Sequence, residues 1–102
     1  MVIYDKASWH IDAGMDKRRV IQRFQRIFDF LNDNDLLSDE GKEIYEMGID
    51  ESCSLNERTV TLKGNRFLGK YYDEVMDNEA NSIYAALTEK WKSYSLSRPS
   101  RF

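Results

Sequence analysis

The sequence is poor in the residues that usually carry chemistry or break structure. Its 102 residues include one cysteine, one histidine and one proline. A lone Cys53 forms no internal disulfide and builds no cysteine-rich zinc site, so a reduced, cytoplasmic setting is expected. The single His10 leaves little of the enzyme repertoire. A metal site would rest on His10 plus carboxylates, and a Ser–His–Asp or Cys–His arrangement would have to use His10 itself. Ser8, two residues earlier, is no nucleophile elbow. No apolar run approaches the roughly 20 residues that a membrane-spanning helix needs, and no basic start leads into an apolar stretch. Neither a membrane span nor a secretory signal is therefore expected. There is no internal repeat and no low-complexity segment. No catalytic residue, metal or cofactor is assigned on these grounds.

What is present argues for a folded globule. Hydrophobic residues make up 41% and aromatics 13% of the chain, and disordered chains are poor in aromatics. The length suits one domain with a modest core. Residues 1–14 lack helical periodicity: Val2, Ile3 and Tyr4 suit a short strand, and Asp5 and Ser8 favour turns and caps. Asp16 is a good N-cap for a helix over 17–32, where Val20, Ile21, Phe24, Ile27, Phe28 and Leu31 share one face. Ser38 caps a second helix over 39–47, which stops at Gly48. Between 49 and 60 two readings stay open. Ser54 and Glu57 have capping-box spacing for one helical turn, while Arg58–Leu62 alternates as a short strand does.

Thr61 caps a third helix over 62–76, in which Gly64 and Gly69 each cost about 1 kcal/mol relative to alanine. Gly69 is read as a place where another element comes close. A last helix is expected over 79–94, followed by a mobile tail, 95–102, that carries Pro99. Amphipathic segments must bury their apolar faces against one another. The expected fold is a mainly α, compact single-domain bundle of about four helices over 1–94, with a short N-terminal strand or hairpin.

Charge is unevenly spread. Lys17, Arg18, Arg19, Arg23 and Arg26 crowd the start of the first long helix, the end that disfavours cations. From Asp29 to Glu57 there are ten acids and one base, Lys42. Arg19, Arg23 and Arg26 fall at i, i+4 and i+7 and are read as one solvent-facing stripe. That stripe either pairs with the protein's own acidic segment or is simply solvated, or else it is a docking surface for an acidic protein or for phosphates. Nucleic acid is disfavoured, because the net charge is −3 and the aromatics fall on apolar faces.

Two acidic constellations fall short of a site. A calcium loop begun at Asp33 fails at Leu37, Ser38 and Ile44, where an EF-hand needs a ligand, glycine and glutamate. Asp39, Glu40, Glu43 and Glu46 share helix-face spacings, but nothing supplies the burial that acid–base catalysis requires, so a solvated face is the plainer reading. The stretch "TVTLKGNRFL", 59–68, resembles the segment after the wing in some winged-helix regulators. A DNA-binding regulator is thus the alternative reading, against the repulsion of phosphates by the acidic residues before it.

"YDKASWH", 4–10, together with "TLKGNRFLGKYYDEVM", 61–76, resembles a group of small bacterial proteins of unknown function. The likeness is carried by Tyr4, Asp5, Ala7, Ser8, Trp9 and His10, and by Thr61, Gly64, Asn65, Phe67, Tyr71 and Tyr72. The link between Trp-His and the first helix is shorter here than in that group. The resemblance implies an immunity-type helper of a bacterial toxin system and assigns no catalytic residue. For Trp9-His10 itself two roles stand: an anchor, with the Trp9 ring buried against the helices and His10 bonded to one partner, or a shallow groove that holds a partner. The expected function is a non-enzymatic protein-binding module, with Arg19, Arg23, Arg26, Trp9 and His10 as candidate partner-binding residues. The expected partner is another protein, and a homodimer stays open.

Overall fold

The computed structural model describes residues 1–97, and their architecture grows from the longest helix. Strand β1 (Ile3–Lys6) and short helix α1 (Ala7–Asp12) precede α2 (Lys17–Asp33). Helix α3 (Asp39–Met47), strand β2 (Ser54–Asn56), α4 (Leu62–Val75) and α5 (Ile83–Ser97) follow. The Asp16, Ser38 and Thr61 side chains accept from the backbone N–H three residues on, at 3.1, 3.1 and 3.0 Å. These bonds satisfy donors that a helix start leaves unpaired. On α2, Val20, Phe24, Ile27, Phe28, Phe30 and Leu31 are all buried. That stripe packs on α5, which also packs on α4, while α1 lies against α2. One hydrophobic core results, to which both strands and the connecting segments contribute.

The mainly α bundle with a small N-terminal sheet is the expected architecture. Its strands pair antiparallel, Ile3 with Asn56 and Lys6 with Ser54, with a register shift between Ile3 and Asp5. Irregularities of this kind re-aim a side chain, and Asp5 is the one buried residue of β1. Helix α1 departs from the sequence reading, which had no helix before residue 17. Six residues are too few for a helix stable by itself. Tertiary contacts supply the difference: Ala7 is fully buried and its N–H donates to Cys53 O at 3.0 Å.

Neither reading of 49–60 holds. Glu57 caps no turn; its carboxylate accepts from Val2 N at 2.7 Å, and its own N–H donates to Val2 O at 3.0 Å. The strand forms at Ser54–Asn56, leaving Val60 to bridge Leu37. Around that bridge Thr61 N donates to Leu36 O at 2.9 Å and Ser38 N to Thr59 O at 3.1 Å, tying the starts of α3 and α4 together. Close approach therefore falls at Gly41, where an added Cβ would lie 2.0 Å from Thr59 O, and not at Gly69, which faces open space. Helix α5 begins at Ile83 and continues to Ser97, past the expected end at 94. Residues 98–102 of the expected tail lie outside the described residues.

Candidate functional site

The most unusual part of the molecule is a carboxylate in its interior. Asp5 is 1% exposed and collects four donors. Lys6 N bonds Oδ1 at 2.9 Å and His10 Nε2 lies 2.7 Å from the same oxygen. Arg23 Nη1 bonds Oδ2 at 3.0 Å, and the Tyr72 hydroxyl donates to Oδ2 at 2.5 Å. A buried charge is tolerable only when paired and fully hydrogen-bonded, and this one is both. Arg23 is locked as well: Nε donates to Asn78 O at 2.6 Å and Nη2 to Met76 O at 2.8 Å. Burial first, and then the neighbouring Asp5 charge against the opposing pull of Arg23, pushes the Tyr72 phenol well above its ordinary range, so it remains a neutral donor.

Arg23 thus leaves the solvent-facing stripe assigned to it. On α2 it sits one turn after Val20 and one before Ile27, at the edge of the apolar face, and Asp5 together with two backbone carbonyls draws it inward. Arg19 and Arg26 stay outside. Arg26 bonds Asp29 at 3.2 Å and covers the Tyr84 ring at 4.7 Å. The Arg19 side chain is 75% exposed, and its ion-pair partner, Glu79, is 3.8 Å away. Of the basic cluster, Lys17 and Arg26 do pair with the acidic segment, through Glu51 and Asp29.

Trp9 and His10 part company too. Trp9 is 49% exposed and does not anchor the core; from α1 it is Ala7 that is buried in the core and Ile11 that packs against it. His10 turns toward Asp5 and packs edge-on against Phe24. Its second ring nitrogen, Nδ1, has no protein partner and is open to solvent. With Nε2–H given to Asp5, a neutral His10 presents Nδ1 as an acceptor and a protonated one presents a donor. A carboxylate that orients an imidazole in this way is half of a general-base arrangement.

His10 and Arg23 form part of the wall of a cleft of about 490 Å³ between the start of α2 and the α4–α5 connection. Arg19, Gln22 and Asn81 stand around it, with Val20 and Met76 as apolar lining. No serine, threonine or cysteine lines this cleft. Cys53 is elsewhere and buried; desolvation, with help from Asp50 and Asp5, pushes its thiol up to about 12, the opposite of an activated nucleophile. Among the described residues no group of three His, Cys, Asp or Glu side chains is arranged to hold a metal, and no helix is long and apolar enough to cross a membrane. Asp39, Glu40, Glu43 and Glu46 are all exposed on α3, as a solvated face requires.

No protein-family model matches the chain, and no curated protein or solved structure is detectably similar to it. The two segments singled out in the sequence nevertheless meet each other in space. The Tyr4 hydroxyl donates to Asn65 Oδ1 at 2.6 Å, and Asp5 meets Tyr72. Sequence reasoning passed over Asp5 and Tyr72 as a site. The one available signal was an acid directly after the apolar run Val2–Tyr4, which an uncompensated core would not accept.

Proposed function

We propose that this protein is a cytoplasmic, non-enzymatic module that binds another protein on the face formed by α1 and the start of α2. The observation that carries the reading is Trp9, half-exposed on a short helix whose base is fixed by the buried Asp5 network. A large aromatic held out from a rigid support is the type of residue on which interface energy concentrates, and arginine is another. Arg19, on the first turn of α2, is exposed and loosely paired. The basic start of α2 and the exposed acids of α3 give the surface two signs of charge, which suits electrostatically oriented docking. The resemblance to immunity-type helpers of toxin systems makes an inhibitory partner complex the finer form of this reading.

Capture from host lysate by the tagged protein, with and without nuclease, tests it when run beside two surface variants. Wild type is expected to hold a nuclease-resistant protein that Trp9→Ala and Arg19→Glu both lose, while their melting temperatures stay close to wild type. Retention of that protein by both variants would remove this face from the reading. Recovery of nuclease-sensitive duplex DNA in place of a protein would favour the DNA-binding alternative.

A further inference from the structure

We propose that the cleft between α2 and the α4–α5 connection is a binding site for a single carboxylate group, taken up between Arg19 and His10. The inference rests on the docking reading only for who carries that group; the site itself is argued from its own chemistry. Its volume, about 490 Å³, falls within the roughly 300–1,000 Å³ typical of small-ligand sites. Its deep wall is fixed in advance. Arg23 is held by three acceptors and His10 by Asp5, so neither must be ordered when a ligand enters.

Several polar groups at this cleft have no other work to do. His10 Nδ1 is open, and the Gln22 and Asn81 side-chain amides make no hydrogen bond within the protein. Arg19 has only Glu79, at 3.8 Å, with both side chains largely exposed. A guanidinium fork suits a planar carboxylate in two-pronged contact, a better arrangement than that distant pairing. Glu79 thus acts as a weak intramolecular competitor for the same cation.

The rim also limits the charge of the ligand. Asp77 and Glu79 both border the cleft, and the Arg23 charge is already matched by buried Asp5. That leaves Arg19 as the cation available to an incoming anion, with His10 as a neutral or protonated neighbour. Any anion there meets one available cation and two rim carboxylates, so a second negative charge on the ligand adds repulsion without a second partner, and a monoanion is favoured over a dianionic phosphate. Val20 and Met76 provide an apolar bed for the rest of the ligand.

N-acetyl-leucine and its neutral amide, N-acetyl-leucinamide, are suitable probes, read by amide chemical shifts in the full-length protein. The acid is expected to produce saturable shifts over 76–81 and around Arg19 at millimolar concentration, the affinity that ligands of this size command, and the amide none. Arg19→Gln should weaken binding about tenfold and His10→Gln about threefold, as expected for charge-assisted bonds at a partly open site. Glu79→Gln should tighten it about threefold by removing the competitor. Arg19 and Glu79 are both on the surface, so these variants are expected to fold as wild type does.

Absence of saturable shifts would overturn the proposal, as would equal binding of the amide or of inorganic phosphate. A partner captured through Trp9 that N-acetyl-leucine fails to displace, alongside flat titrations, overturns the carboxylate site and leaves the docking reading intact. Saturable binding of the acid with no captured partner supports the site and removes the docking reading.

Discussion

Arg23 and Arg26 lie one turn apart on the same helix and carry the same side chain, yet the first is 4% exposed and the second 47%. Arg23 lies at the edge of the apolar face of α2, but that position alone does not bury a guanidinium. Arg23 meets a carboxylate 18 residues back in the chain and carbonyls more than 50 residues ahead, whereas Arg26 meets Asp29, three residues on. Gly41 and Gly69 form a similar pair: one is pressed against the Thr59 carbonyl and the other faces open space. In each pair the residue type is constant, and a distant segment decides whether it is structural or free.

The comparison is tested most severely at Asp5. Asp5→Ala strips Arg23 of its counter-charge inside the core, and breaking a buried pair from one side costs about 3–5 kcal/mol. Urea denaturation should therefore show a loss that is a large share of the whole stability of a domain this size. A change below about 1 kcal/mol would mean that the Arg23 charge escapes to water and that the two arginines are not so different. The glycine pair gives a medium effect of opposite signs. Gly41→Ala drives a Cβ into backbone and should cost about 1–3 kcal/mol, while Gly69→Ala should stabilise by about 0.5–1 kcal/mol. Equal shifts in thermal midpoint for the two variants would contradict the assigned packing. At the small end, Arg26→Ala loses an exposed ion pair and a ring contact, and should move stability by no more than about 0.5–1 kcal/mol.

The same contrast explains what the sequence makes legible. Caps at Asp16, Ser38 and Thr61 act within three residues, and the apolar period of α2 is local, so these elements and the mainly α architecture can be read directly. Helix α1 cannot, because its stability comes from Ala7 packing and from a bond to Cys53, far along the chain. The strand at Ser54–Asn56 is equally hidden, since three residues carry almost no period and the pairing partner is β1. The candidate site was half visible. His10 and the arginines stood out by type, but the group that assembles His10 and Arg23 is Asp5, whose bond to Tyr72 spans 67 residues. Helical spacing alone put Arg23 on the wrong side, because an edge position between Val20 and Ile27 turns inward once a buried acid is there to receive it.

The tie between the starts of α3 and α4 makes the molecule two interlocked halves. The first half, through α3, holds β1, α1 and α2; the second holds β2, α4 and α5. Sheet pairing, the Leu36–Thr61 and Ser38–Thr59 bonds, the Asp5–Tyr72 contact and the grip of Arg23 on Met76 and Asn78 all cross from one to the other. The covalent link between them passes through exposed Met47, Gly48, Asp50 and Glu51. The chain could therefore be severed there and made as two polypeptides that recognise each other, turning an intramolecular fold into a heterodimer whose reassembly reports on the buried Asp5 cluster.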